Sequence, residues 1–140
     1  MADKDSTLYA GRKSFVDARD SGGNDLTLRF SHTVASDGST DRVFLVELPA
    51  NAQVVDGAVT WDALGAATTM AMGDLTSGAR YLAATAVTTA GRASFPAPRA
   101  GMNYRPAATA AERTLCLTWA AATPTNGAIV EGWVRVQLGV

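Results

Sequence analysis

The sequence predicts an all-β fold, a sandwich or small barrel of about seven to nine short antiparallel strands. The first observation is a spacing of two between large apolar residues, which is the period of a strand with one buried face. Leu26, Leu28 and Phe30 alternate with polar residues, and the runs 115–119 and 134–138 repeat this pattern. The second observation is the frequency of turn sequences between such runs. Alanine is the most frequent residue and favours helices, but the spacing of the large apolar residues overrules it.

The remaining elements follow from apolar runs between turns. The run Val43–Leu48 is apolar on both faces, which predicts a strand covered on both sides. Residues 88–106 contain three prolines and three arginines and predict a long loop. The only predicted helical stretch, Ala107–Glu112, is short. Further strands are predicted at Gln53–Asp62, Thr68–Met72, Ala79–Val87 and near Gly101–Arg105.

The chain is predicted to contain one domain. Its 140 residues can bury a core without disulfides, and its single cysteine fits a reducing cytoplasm or a particle assembled inside one. Residues 1–25 are polar, with a Gly22-Gly23 pair near their end, so we expect a flexible N-terminal arm followed by a β-sandwich domain over 26–140. The net charge of −1 does not support nucleic-acid binding. No apolar stretch predicts a signal peptide or a membrane span.

Few residues are candidates for catalysis. A metal site needs several histidines or paired cysteines, whereas the chain has only His32 and Cys116. His32 follows Ser31 without a nucleophile-elbow sequence, so we expect a surface or sheet-end histidine. Cys116 lies between leucines in an alternating run and is expected to be a buried sheet residue. We therefore predict no catalytic residue, no metal and no cofactor. Aspartates beside glycines lack calcium-loop spacing and are explained by turns: Asp37, Asp56 and Asp74.

Contacts with other protein subunits are the function that these observations favour. Trp61 and Trp119 are predicted core residues, but Trp133 faces outward if Val134 and Val136 face the core. An outward tryptophan often marks an interface. The few apolar residues of the arm can anchor it on a neighbour, and the arginines of the proline-rich loop can contact acidic groups. The predicted contact residues are Leu8, Tyr9, Phe15, Arg99, Arg105 and Trp133.

The segment from Val43 to Thr89 carries a series of turn motifs in a set order. Pro49 ends one strand because it cannot donate to a ladder. The motifs are Leu48-Pro49-Ala50, Val54-Val55-Asp56-Gly57, Asp62-Ala63-Leu64-Gly65, Gly73-Asp74 and Arg80-Tyr81-Leu82-Ala83-Ala84-Thr85, followed later by Met102-Asn103-Tyr104 and a run from Gly127 to Leu138. With these motifs the chain resembles small tailed-phage virion proteins encoded among the head genes. The order of the strands suits a single β-sandwich of jelly-roll type.

The resemblance implies a capsid decoration (cement) protein that binds the major capsid protein shell and stabilises it against internal pressure. Such a protein would act as a homo-oligomer, most simply a homotrimer at three-fold axes, whose weak contacts combine through effective concentration. It would be made in the host cytoplasm and lie on the capsid surface of the virion. One alternative is a tail, connector or head-fibre component. Another is a carbohydrate-binding β-sandwich module, with Trp133, Tyr104 and Tyr81 as its exposed aromatics.

Overall fold

The computed structural model describes residues 3–5, 25–49, 52–96 and 113–137. The strands within these residues confirm the predicted all-β class. They are β1 (Asp3–Asp5), β2 (Asp25–Thr33), β3 (Arg42–Glu47), β4 (Gln53–Trp61), β5 (Thr69–Gly73), β6 (Leu82–Ala86), β7 (Gly91–Phe95), β8 (Thr114–Ala120) and β9 (Ile129–Gln137).

The strands form two sheets, one with the order β1-β3-β8-β5-β6 and one with the order β2-β9-β4-β7. Apart from β1, they pair as a nested series: β2 with β9, β3 with β8, β4 with β7 and β5 with β6. All four pairs are antiparallel, as in a long hairpin folded back on itself. Successive pairs of this hairpin fall in alternate sheets, which is the jelly-roll arrangement that the sequence predicted.

The core lies between the two sheets and contains the apolar residues that the alternation predicted. In β2, Leu26, Leu28 and Phe30 are buried, and the residues between them are exposed. Trp61 and Trp119 are both buried, as predicted. Most alanines of the described residues lie outside this core, and strand pairing overrides their helix propensity. In the part of the chain that the structure describes, the buried alanines are Ala52, Ala58 and Ala128.

One strand forms where a loop was predicted. Residues 88–106 were expected to be irregular, but β7 lies within them and pairs with β4. Only Ala93 and Phe95 of β7 face the core side, so its own alternation is too weak to predict a strand. Backbone pairing with the edge of β4 stabilises this strand, although its own sequence has too few apolar residues to predict it. The strand predicted near 101–105 and the helical stretch at 107–112 lie outside the described residues.

Two further elements differ from expectation. β1 lies within the predicted arm and pairs in parallel with β3, where Arg42 donates two hydrogen bonds to the Asp3 carboxylate at 3.1 and 2.9 Å. It is the one parallel pair among the described strands. β6 begins later than predicted because residues 74–80 form a turn. None of the described residues forms a helix of the length and apolarity needed to cross a membrane.

Candidate interaction surface on the four-stranded sheet

His32 is buried in a polar cluster that joins the two sheets. Its Nε2 lies 2.8 Å from Oδ2 of Asp37, and Nε1 of Trp119 donates to the same oxygen at 3.0 Å. His32 belongs to β2 and Trp119 to β8, so Asp37 connects one sheet to the other. Ser31 points to the opposite face of β2 and cannot reach the imidazole. Of the two positions predicted for this histidine, surface or sheet end, the structure shows the sheet end, where His32 is buried.

Cys116 is fully buried in β8, as the sequence predicted. Burial raises the pKa of the Cys116 thiol from 9.0 to about 12. Because the thiolate is the reactive form of cysteine, a thiol held neutral at physiological pH is a poor nucleophile. This residue therefore contributes packing to the sheet.

Asp74 organises the turn between β5 and β6, which confirms its predicted role. Its Oδ1 accepts hydrogen bonds from the backbone nitrogens of Thr76 and Ser77, at 2.9 and 2.7 Å. Its Oδ2 accepts one from Nε of Arg80 at 2.6 Å. Across the ranges that the structure describes, no three His, Cys, Asp or Glu side chains come together as a metal site would require.

Trp133 lies at the centre of the outward face of the four-stranded sheet. Its strand, β9, runs between β2 and β4. Val134 and Val136 are fully buried, so Trp133 faces away from the core together with Arg135, as the alternation predicted. Trp133 is half-buried in this position.

Two rows of outward side chains cross this face. The strand register aligns Arg29, Trp133, Ala58 and Ser94 in one row, and Ser31, Glu131, Thr60 and Arg92 in the next. All of these residues except Ser94 line a groove of about 550 Å³. A smaller depression of about 160 Å³ shares Thr60 and Glu131 and extends to Ile129. The groove thus combines side chains from four strands that are distant in the sequence.

Charged groups border the groove and are available to a ligand. The side chains of Arg29, Arg92 and Glu131 are exposed. Among the described residues, none of these three side chains forms an ion pair or a side-chain hydrogen bond. Neighbouring Arg135, in contrast, lies 3.9 Å from the Asp56 carboxylate. The groove therefore offers two guanidinium groups and one carboxylate around an aromatic side chain.

The structure describes only part of the predicted contact set and leaves the contacts themselves as predictions. It describes Trp133 and places it in the groove. Arg92, expected in the proline-rich loop, belongs to β7 and lines the same groove. Arg29 and Glu131 were not among the predicted contacts, although their outward positions in alternating runs indicated exposure. The remaining predicted contacts lie outside the described residues: Leu8, Tyr9, Phe15, Arg99 and Arg105.

The aromatic set required by the carbohydrate-binding alternative is only partly present on this surface. Tyr81 is fully buried, so its expected exposure is wrong. Tyr104 lies outside the described residues. Trp133 is therefore the member of that set that the structure places at a groove.

Comparison with known proteins shows that this fold is similar to chains of solved structures. No protein-family model matches the sequence, and no curated protein matches it. A chain in the capsid of Ralstonia phage GP4 superposes with a TM-score of 0.76 at 21% identity, over 99% of both chains. A chain of the cyanophage Pam1 capsid asymmetric unit gives a TM-score of 0.70 at 22% identity, over 84% of this chain and 87% of the other. The protein thus shares its fold with chains of two phage capsid structures.

Proposed function

We propose that this protein is a capsid decoration protein, which binds the shell of the major capsid protein and stabilises it against internal pressure. The observation that carries this proposal is the fold correspondence with a chain of the Ralstonia phage GP4 capsid, which covers 99% of both chains. A correspondence of that extent involves both sheets and their connections, not one common hairpin. The turn motifs between Val43 and Thr89 point to the same class of virion protein.

A binding role without catalysis agrees with the environment of the reactive residues. His32 is buried and contacts Asp37, and Cys116 is buried with a raised pKa. Neither side chain lines the groove on the sheet. A protein of this kind acts through the surface that it buries against its neighbours, and several weak contacts on one oligomer reinforce each other.

We place the attachment to the shell in the N-terminal segment and the proline-rich loop. β1 is the outer strand of the five-stranded sheet, and Arg42 donates two hydrogen bonds to the Asp3 carboxylate there, which supports an N-terminal contact element at this edge. Its contact residues would be Leu8, Tyr9 and Phe15, with Arg99 and Arg105 from the loop. Trp133 is not included, because it lines a groove on the sheet face.

The protein would bind as a homotrimer at the three-fold positions of the shell. Closed symmetric oligomers match symmetric sites, and a trimer presents three copies of each weak contact at once. Light scattering of the purified protein is expected to give a trimer. A strict monomer in solution, together with isolated monomers on the particle, would contradict this part of the proposal.

The copy number in the particle tests the function. Quantitative mass spectrometry of purified virions is expected to find hundreds of copies, as for a protein that covers a shell. A handful of copies would indicate a tail, connector or head-fibre component instead. Particles lacking the protein should release their DNA at a lower temperature than complete particles, and adding the protein back should restore the difference. Unchanged release would overturn the stabilising role.

Substitution of the arm residues tests the attachment surface. The variant Leu8→Ala/Tyr9→Ala/Phe15→Ala should fold with a nearly unchanged melting temperature. It should bind much more weakly to phage particles that lack this protein. The control is Val55→Ala, which removes two methyl groups from a side chain that is 42% exposed on β4. Binding that is equally strong in both variants would place the attachment surface elsewhere.

A further inference from the structure

The groove on the four-stranded sheet has an aromatic wall and an open space beside it. Trp133 lines the groove, and Ala58 of β4 is its direct neighbour in the register. Ser94 of β7 follows Ala58 in the same row. Because both neighbours are small, no large side chain rises beside the indole on that side. A flat ligand can therefore lie against the ring.

Polar groups of several kinds border this space. Arg29 on β2 and Arg92 on β7 supply donors from the two outer strands of the sheet, and Glu131 supplies acceptors between them. Oγ1 of Thr60 donates to the Glu131 carbonyl oxygen at 3.3 Å and keeps its lone pairs as acceptors. Hydrogen bonds to charged groups are the stronger ones, and a guanidinium can make two in parallel. A ligand rich in hydroxyl groups, which both donate and accept, can use this whole set.

We propose that this groove binds a saccharide, with one sugar ring on the indole of Trp133 and neighbouring hydroxyls hydrogen-bonded to Arg29, Arg92 and Glu131. A sugar ring has an apolar C–H face that packs on an aromatic surface, and its hydroxyls project toward the polar rim. The groove volume of about 550 Å³ falls within the range of roughly 300–1,000 Å³ for small-molecule sites. The adjoining depression gives a longer oligosaccharide room to continue toward Ile129. This site does not depend on the decoration role.

A peptide fits this surface less well than a saccharide. The strands of the sheet are joined by ladders over the length of the groove, so its face presents side chains and not free backbone groups. Extended peptides join sheets through backbone hydrogen bonds at an edge. A peptide laid across the face would leave most of its own N–H and C=O groups without partners, which costs free energy. A saccharide has no such backbone to satisfy.

Nucleic acid is also disfavoured at this groove. Two arginines face one glutamate here, and the whole chain has a net charge of −1. Phosphate binding draws on clustered positive charge, and Glu131 would repel a phosphate placed between the arginines. Sugar hydroxyls, in contrast, can donate to that carboxylate.

The experiment is a titration of the full chain with four trisaccharides, built respectively of glucose, galactose, N-acetylglucosamine and galacturonate. The readouts are tryptophan fluorescence and amide chemical shifts. We expect at least one trisaccharide to give a saturable change at millimolar concentration or below. The amide shifts should be confined to the groove, around Arg29, Thr60, Arg92, Glu131 and Trp133. No saturable change with any of the four would overturn the proposal.

Single substitutions in the groove test which side chains contact the saccharide. Arg29→Ala and Arg92→Ala should each weaken binding at least about tenfold, the effect of losing one hydrogen bond to a charged group, and Trp133→Ala should abolish it. Arg135→Ala is the matched control, because this arginine lies on the same face but outside the groove. An equal loss in the control would contradict the site. A Trp133→Ala variant that loses particle binding while no trisaccharide binds would instead make Trp133 the protein contact that the sequence predicted.

Discussion

Replacement of Asp37 tests whether its buried carboxylate holds the two sheets together. The side chains of Asp37 and His32 are 0% and 4% exposed, and the carboxylate accepts hydrogen bonds from both His32 and Trp119. Asp37→Ala leaves two buried donors without this acceptor. Each buried unsatisfied group costs about 1–3 kcal/mol, and breaking a buried pair by removing one partner costs about 3–5 kcal/mol. We expect the free energy of unfolding to fall by about 3–5 kcal/mol, near the sum of the two unsatisfied groups.

Urea denaturation measures this loss in free energy of unfolding. The protein concentration must be the same for both variants, because oligomerisation makes the apparent stability depend on concentration. At roughly 3 °C per kcal/mol for a domain of this size, the melting temperature should fall by about 10–15 °C. Asp62→Ala is the control: its carboxylate is exposed and accepts one hydrogen bond from the Ile129 nitrogen at 3.0 Å, so its loss should cost less than about 1 kcal/mol. Equal effects of the two variants would refute the argument. So would additive effects of Asp37→Ala and Trp119→Phe in a double-mutant cycle.

Three further predictions follow from buried or crowded positions. The pKa of Cys116 is raised from 9.0 to about 12 in the folded state, so the contribution of this thiol to stability is fully present below pH 9 and falls between pH 9 and 12. In alkaline unfolding, the free energy of unfolding of Cys116→Ala should therefore fall less over this range than that of the wild type. Gly73→Ala should destabilise by about 1–3 kcal/mol, because its Cβ would meet the backbone at Ser77. Gly78→Ala, whose nearest contact would be at 3.6 Å, should change the melting temperature little. Asp74→Asn should destabilise by about 1–3 kcal/mol in the same thermal assay, because an uncharged amide replaces the carboxylate that pairs with the half-buried Arg80; a loss below that of Asp62→Ala would contradict the role of Asp74 in the turn.

The local pattern of the sequence was sufficient for most strands. In β2, β8 and β9 the large apolar residues recur at every second position, so the buried face was predicted residue by residue. β7 was missed because it has one large apolar side chain, Phe95, and owes its formation to pairing with β4. The strand β1 was missed for a related reason. Its three residues, Asp3–Asp5, are polar and pair only because β3 offers an edge.

The candidate site was predicted less completely than the fold. Alternation alone showed that Trp133 faces outward, because a neighbour's direction in a strand follows from the pleat. The sequence could not show which residues accompany it. Arg29 and Arg92 are far from Trp133 along the chain and reach the same groove only through the order β2-β9-β4-β7. The burial of His32 was missed for a similar reason, since its partner Asp37 also accepts a hydrogen bond from Trp119 of the other sheet.

The sequence by itself determined that the protein is all-β, which residues form its core, and that catalysis has few candidate residues. These properties depend on spacing and composition, which are local. The tertiary structure decided which strands pair and in what register, because pairing between distant strands depends on the packing of the whole sandwich and not on any one segment. That register brings Arg29, Trp133, Ala58 and Arg92 to one groove, and the packing of one sheet on the other brings His32 and Trp119 to the same carboxylate, that of Asp37.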